Sequence, residues 1–449
     1  MNVLLVDIGS TYTKMSLVDT EQQKVVGSSL AITTIDTSVM DGYHEALAAL
    51  KAKVGGVKPD KVLTCSSAAG GLKMVAIGLG PNLTAEASKR AALGAGARVL
   101  KTFSMEFKDK HKAELDALNP DIILFSGGSN NGDKLNTLNN ARMLSTCTAK
   151  APVVIACNEA IAKDVDAILS PHFTTYVTEN VMPAVNEINP DPVRRIIRKI
   201  FMEHITLAKG LETYVKDVGP VLMATPDAAL QGARLLSEGY EGEDGLGDLL
   251  VVDIGGATTD VHSIGYGLPK WGVRFYGLKE PFDKRTVEGD LGMRYSARSL
   301  YETVGDAELN SYYVANFDRA TLDRTHNIRF VPHNDDELNV DVAMAKAAVR
   351  HSMARHVGAI KIEHDGSQNI KYQRGKDLSS FKAVIGTGGV LVHAKDPKFI
   401  LALPEGELLP DAAAYYIDGD YLLSQMGLLA TEVPDVALNL LKTHIRLLK

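Results

Sequence analysis

The sequence predicts an α/β protein made of two similar halves, and three observations carry that expectation. One short pattern, a buried strand running into Asp-Ile-Gly and then into a second strand, occurs at residues 6 to 14 and again at 252 to 260. Each copy is followed, well downstream, by a strand that ends in a glycine pair, at Gly127-Gly128 and at Gly388-Gly389. Between these landmarks helical and strand periodicities alternate, which favours a mixed sheet with helices on its faces.

The repeat can be justified residue by residue. Val-Asp-Ile-Gly-Ser-Thr-Tyr-Thr-Lys from Val6 and Val-Asp-Ile-Gly-Gly-Ala-Thr-Thr-Asp from Val252 align without a gap, and five of nine positions are identical. Val3-Leu4-Leu5-Val6 and Leu249-Leu250-Val251-Val252 precede them as continuous apolar runs, the signature of strands buried on both faces. Met15-Ser16-Leu17-Val18 and Val261-His262-Ser263-Ile264 follow as second strands. A short third strand is expected around Gly27, from Val25-Val26 and Leu30-Ala31-Ile32. Residues 41 to 53 read as an amphipathic helix opened by Asp41, and Val62-Leu63 and Val153-Val154-Ile155 read as strands. Ile122-Ile123-Leu124-Phe125 leads into Ser126-Gly127-Gly128 as Ala383-Val384-Ile385 leads into Gly386-Thr387-Gly388-Gly389, so the two are expected to be equivalent strands. Residues 170 to 220 read as helical and polar, broken by Pro190 and Pro192, without a counterpart in the second half. The expected division is a first domain over 1–169, a helical insertion over 170–220 and a second domain over 221–449. The acidic turn Glu241-Gly242-Glu243-Asp244-Gly245 is expected at a domain boundary.

Composition narrows the function classes. The chain has 449 residues, 45% of them hydrophobic and 23% charged, which excludes disordered, collagen-like and disulfide-scaffold proteins. No run approaches the roughly 18 apolar residues of a membrane-spanning helix. The 48 basic residues are outnumbered by 55 acidic ones and are dispersed, an unfavourable surface for nucleic acid. Cys65, Cys147 and Cys157 have no CxxC spacing, as in a protein of the reducing cytoplasm, and imply no structural metal. The opening Met-Asn-Val-Leu-Leu carries no basic leader, so no export signal is expected.

Glycine-rich turns directly after buried strands let successive N–H groups face one concavity and hold phosphate oxygens. Ser10, Thr11 and Thr13 in the first loop, and Thr258 and Thr259 in the second, add neutral donors, and Lys14 can meet terminal phosphates. An aspartate at the strand end would be repelled by phosphate unless a cation lies between them. Asp7 and Asp253, one from each half, are therefore the expected ligands of a magnesium ion's water shell. For Gly127 and Gly128 a tight turn and a ligand contact are equally open; Gly386, Thr387, Gly388 and Gly389 lie in the half expected to hold the nucleoside.

These residues resemble the superfamily of ATPases that contains actin, the DnaK-type chaperones and the sugar kinases. Asp7 through Lys14, with Gly9, is similar to its first phosphate loop; Asp253 through Asp260, with Gly255, Gly256 and Thr258, to its second; and Gly386 through Gly389 to its adenosine motif. The resemblance implies two RNase H-like, actin-type halves with Mg-ATP in a cleft between them. Two residues depart from it: Ala257 stands where the chaperones have a third glycine, and no arginine follows Gly389. For the catalytic base it offers two acids. Glu159, in Ala-Cys-Asn-Glu-Ala, resembles a chaperone connecting-helix sequence, and Asp227, in Pro-Asp-Ala-Ala-Leu-Gln-Gly, precedes the second loop at a fitting distance; either can equally be a solvated helix-end acid.

The whole chain further resembles the accessory proteins of adenosylcobalamin-dependent glutamate mutase, the MutL or GlmL family, unrelated to the mismatch-repair protein that shares the first name. The carriers are both Asp-Ile-Gly loops, the run from Cys65 to Leu72 that contains Ala69, Gly70 and Gly71, Leu83-Thr84-Ala85-Glu86-Ala87, the run from Ala91 to Gly96, and Phe125-Ser126-Gly127-Gly128. That resemblance implies a slow, ATP-hydrolysing reactivating chaperone that frees damaged cobalamin from a mutase, with water as the phosphoryl acceptor. A small-molecule kinase, an actin-like scaffold and an ATP-using hydantoinase or oxoprolinase stand as alternatives on the same loops. The partner mutase and any homo-oligomer stay open, and the 170–220 segment is the expected partner surface.

Overall fold

The computed structural model describes residues 1–449 except 36, 57, 69–71, 96, 205–208 and 366–367. Ala69, Gly70, Gly71 and Gly96 of the runs above therefore lie outside the described residues. The chain forms two compact units, one of Met1–Val18, Val26–Ala228 and Tyr276–Pro281, the other of Asp19–Val25, Ala229–Phe275 and Phe282–Lys449. No helix among the described residues is long and apolar enough to cross a membrane.

The first unit opens with β1 (Asn2–Ile8), β2 (Tyr12–Asp19) and β3 (Lys24–Ile32), followed by α1 (Val39–Val54) and β4 (Lys61–Ser66). Helix α1 starts two residues before Asp41, because the Ser38 side chain accepts from the Met40 N–H and so caps it. It stops at Gly55, whose left-handed φ of 77° lets its N–H close on the Lys51 carbonyl.

The chain then builds an all-parallel layer from β5 (Lys73–Ile77), α2 (Thr84–Gly94), β6 (Arg98–Phe103), α3 (Asp109–Leu118), β7 (Ile122–Phe125), α4 (Leu135–Leu144), β8 (Val153–Ile155), α5 (Ala162–Leu169) and β9 (Thr175–Val177). Its order is β6-β5-β7-β8-β9. Both faces are covered, as parallel sheets require: Met74, Ile122, Leu124 and Val154 belong to one apolar cluster, Val75, Ile123, Phe125 and Val153 to another. The chain returns through α6 (Pro190–His204) and α7 (Leu211–Asp217) to β10 (Val221–Ala224), which pairs with β4. The first sheet thus reads β10-β4-β1-β2-β3.

In the second unit, α8 (Thr225–Glu238), which begins in the first unit, leads to a two-stranded ribbon of β11 (Gly239–Tyr240) and β12 (Glu243–Asp244). Next come β13 (Leu249–Ile254), β14 (Thr259–Ile264), β15 (Val273–Phe275) and β16 (Asp283–Glu288). Helices α9 (Ala297–Val304), α10 (Asp306–Tyr312), α11 (Phe317–His326) and α12 (Asp335–His356) follow, then the hairpin β17 (Ala359–Asp365) and β18 (Gln368–Arg374). The chain finishes with β19 (Ala383–Thr387), α13 (Gly389–His393), α14 (Pro397–Leu401), β20 (Ala414–Ile417), α15 (Leu423–Leu429), α16 (Pro434–His444) and β21 (Arg446–Leu447). The main sheet is β16-β14-β13-β19-β20-β21, and β15-β18-β17 forms a smaller one. Helix α12 packs across β13, β14 and β16 with small buried residues, Ala343, Ala347 and Ala348, that allow close approach.

In both units, then, an antiparallel three-strand meander is extended by two parallel strands in the same spatial order, so each contains an RNase H-like α/β sheet. Four expectations are corrected. The equivalent of β19, the parallel neighbour of β13, is β4 beside β1; β7, with its glycine pair, belongs to the separate parallel sheet. The segment 170–220 is not purely helical, because β9 is an edge strand of that sheet. Pro190 and Pro192 open α6 instead of breaking a helix, since a first turn has no use for their missing N–H groups. The unit boundary falls after Ala228, within α8, while Glu241 and Gly242, with φ of 44° and 90°, make a tight hairpin turn.

Candidate functional site

Both Asp-Ile-Gly sequences fold into hairpins closed by the same hydrogen bond. The Gly9 N–H donates to the Tyr12 carbonyl at 3.0 Å, and the Gly255 N–H donates to the Thr258 carbonyl at 2.9 Å. A Cβ on Gly9 would sit 2.7 Å from the Tyr12 oxygen, closer than a Cβ can approach, whereas one on Gly255 would sit 3.1 Å from the Thr258 oxygen, a tight fit that asks the turn to give by a few tenths of an ångström. The second threonine of each copy is a strut: Thr13 is buried and shares a hydrogen bond with Thr33 at 2.9 Å, while buried Thr259 donates to the Leu291 carbonyl at 2.7 Å.

In the first unit Asp7 lies at the carboxyl end of β1, opposite Cys65 of β4, and is 1% exposed. Thr225, directly after β10, donates its hydroxyl to Asp7 Oδ1 at 2.6 Å, and the Lys14 ammonium stands 4.0 Å from Oδ2. Thr225 escaped the sequence reading; its only local signal was its place between a buried strand and Pro226-Asp227, an N-cap pattern. Burial, and then the charge of Asp7, push the Cys65 thiol well above its ordinary pKa, so it is an inert neighbour. The hydroxyls and N–H groups of Ser10 and Thr11 have no partner among the described residues.

The second unit presents its loop differently. Segment 292–296 grips the outer carbonyls: Met293 N–H donates to Gly255 O at 3.0 Å, Arg294 N–H to Gly256 O at 2.8 Å, and the Ser296 hydroxyl to Ala257 O at 2.8 Å. The N–H groups of Gly256 and Ala257 and the Thr258 hydroxyl have no partner among the described residues. A turn with bonded carbonyls and unbonded N–H groups is suited to anions. Asp253 is half-buried, in register with Asp260 of β14 and Thr387 of β19. Arg285 donates to Asp260 Oδ2 at 2.8 Å and offsets that second carboxylate.

The Gly386–Gly389 turn has distinct reasons for each glycine. A Cβ on Gly386 would meet Leu401 Cδ1 at 2.6 Å, and Gly388, at φ +111°, would meet the Ile254 carbonyl at 2.4 Å. Only Gly389 faces open space, with the Tyr421 hydroxyl 3.9 Å away. Thr387 donates to Asp418 Oδ2 at 3.4 Å, and Asp418 in turn accepts from the Leu422 and Leu423 N–H groups at the entry to α15. Gly127 and Gly128 serve their turn: added Cβ atoms would meet Thr137 Oγ1 at 2.5 Å and the Asp133 carbonyl at 2.3 Å.

The two candidate bases differ sharply. Asp227 is 4% exposed, and its Oδ2 accepts from Arg198 of α6 at 2.7 Å and 2.6 Å, a pairing the sequence did not reveal. Glu159 is exposed in the turn after β8, where its N–H donates to Asn130 Oδ1. Among the described residues no group of three or more His, Cys, Asp or Glu is placed to hold a metal ion alone.

The family model described as "MutL protein" matches residues 3–445. Protein MutL of Clostridium tetanomorphum is 48% identical over 459 residues, covering 98% of each chain. Among solved structures, a nucleotide-free acetone carboxylase is 13% identical over 96% of this chain and 70% of its own, with a TM-score of 0.39. The ADPNP-bound activator of 2-hydroxyisocaproyl-CoA dehydratase from Clostridium difficile is 11% identical over 99% and 98%, with a TM-score of 0.30. Gluconate kinase from Lactobacillus acidophilus is 11% identical over 100% and 93%, with a TM-score of 0.34. With near end-to-end identity at that level and a match to the family model over almost every residue, the chain belongs to the MutL protein family.

Proposed function

We propose that this chain binds one Mg-ATP through its two hairpins and hydrolyses it slowly as the reactivating accessory protein of an adenosylcobalamin-dependent mutase, glutamate mutase foremost. The observation that carries the proposal is the matched pair of turns in which the N–H groups of Ser10, Thr11, Gly256 and Ala257 and the hydroxyls of Ser10, Thr11 and Thr258 have no partner among the described residues, each turn at the end of a buried strand bearing an aspartate. Ser10, Thr11 and Lys14 on one side, and Gly256, Ala257 and Thr258 on the other, would hold phosphate oxygens. Gly255 keeps its turn closed, and the turn from Gly386 to Gly389 would take the nucleoside. Asp7 and Asp253 would address magnesium through its water shell, and magnesium when bound supplies the positive charge that offsets the phosphates. Thr13 and Thr259 support the loops from behind.

The mutase partner rests on family membership. A radical cobalamin enzyme that has lost its adenosyl group retains a damaged cofactor, and a partner with two nucleotide-dependent conformations can open it and then let go. The kinase alternative needs an unencumbered general base, and of the two acids considered Asp227 is already engaged by Arg198. Purified protein is expected to hydrolyse ATP with no added acceptor, and to restore activity to cobalamin-inactivated glutamate mutase given Mg-ATP and fresh coenzyme. Turnover that appears only with an added sugar or carboxylate would establish the kinase instead.

A further inference from the structure

The most exposed large apolar side chain among those described is Trp271, the chain's single tryptophan, with a relative accessibility of 102%. It stands at the tip of the connection between β14 and β15, and Tyr266 and Leu268 of the same connection are each 63% exposed. The display is built. Gly267 O accepts from the Asp377 N–H at 2.9 Å and from the Gln373 amide at 3.0 Å, which fixes the stem. The Val273 N–H closes on Lys270 O at 3.1 Å with Gly272 at φ +84°, so Trp271 occupies the corner of a tight turn. Lys270 and Arg274 flank it, and neither has an ion-pair partner among the described residues. No acidic residue lies between Tyr266 and Lys279 in a chain whose net charge is −7.

A tryptophan left in water beside two cations that have no ion-pair partner among the described residues is costly unless something covers it, and Trp, Tyr and Arg are the side chains that dominate binding hot spots. The charge selects the occupant. We propose that this turn is the surface by which the chain docks a folded protein partner, one that presents an apolar pocket for Trp271 rimmed by carboxylates for Lys270 and Arg274. The proposal rests on the reading above that a mutase is the partner, and it places the contact here instead of on residues 170–220.

The single tryptophan provides the test. Protein labelled with 5-fluorotryptophan gives one 19F resonance, which is expected to respond to replacement of H2O by D2O when the protein is free. Addition of cobalamin-inactivated glutamate mutase is expected to shift that resonance and remove the solvent response. In sedimentation with the same mutase, Trp271→Ala and the double variant Lys270→Glu/Arg274→Glu are each expected to weaken association at least tenfold. Both should leave basal ATP hydrolysis unchanged. If the mutase cosediments with the wild type but the resonance and both variants are unaffected, the surface is wrong while the partner reading stands. If the mutase does not bind with any nucleotide, the partner reading fails and the surface falls with it. A resonance insensitive to solvent in the free protein would overturn the proposal, because the chain would then cover Trp271 itself.

Discussion

The two hairpins share a backbone and differ in how their aspartates are held. Asp7 is sealed, 1% exposed, tied by the Thr225 hydroxyl and approached by Lys14. Asp253 is half-buried beside a second carboxylate, Asp260, whose charge is offset by Arg285. The closing hydrogen bond and the buried threonine strut are common to both, so what was kept is the turn and what diverged is its electrostatic setting. The insertions diverged as well: in the first unit the parallel layer lies between β4 and β10, whereas in the second the corresponding gap between β19 and β20 holds only α13 and α14.

The largest expected effect separates the two aspartates by role. Asp253→Asn removes charge without volume and is expected to lower Mg-ATP turnover by at least about a hundredfold with the fold intact. Asp7→Asn is expected to do the same and, because Asp7 is buried against Thr225, to lower the melting temperature also. Wild-type turnover in either variant would remove that residue from the proposed magnesium shell.

Those two loops were legible because a buried strand and a turn glycine are local, whereas Thr13 and Thr259, read as phosphate donors, are struts whose partners Thr33 and Leu291 lie 20 and 32 residues away. What the sequence did not show is non-local. Thr225 meets Asp7 across 218 residues, and Arg198 reaches Asp227 across 29 residues, with α6 packed on β10 just before α8 begins. The glycine pair after β7 looked like the one after β19 because both end buried strands, yet sheet membership is decided by the neighbouring strand, which periodicity does not report. A proline in a helical run reads as a breaker until the helix start is known, which is why α6 was misjudged.

Acid should distinguish the units next. His262 is fully buried on β14, and burial, with Arg285 adding to it, lowers its pKa to about 4; His356 is lowered well below its usual value for the same leading reason. Both are neutral when folded, whereas the unfolded chain takes up their protons below about pH 6.5. Stability of the second unit is therefore expected to fall as pH drops from about 6.5 and to level off below about 4 for His262, a loss of about 3 kcal/mol from that residue. Hydrogen exchange at pH 5 and pH 7, measured on β14 and β4, checks this, and a larger acid effect on β4 would contradict it. Smaller again, Gly9→Ala is expected to cost about 1–3 kcal/mol and Gly255→Ala less, following their clash distances of 2.7 and 3.1 Å; denaturant unfolding would show the order. Thr13→Val and Thr259→Val are each expected to cost about 1 kcal/mol without altering nucleotide affinity, whereas Ser10→Ala should weaken affinity and leave stability alone.

The central claim is that both hairpins serve one nucleotide. Calorimetric titration of Mg-ATP into the wild type, Asp7→Asn and Asp253→Asn measures it most directly. One site per chain, weakened at least tenfold in each variant, is the predicted result. Two independent sites, or undiminished affinity in one variant, would contradict it.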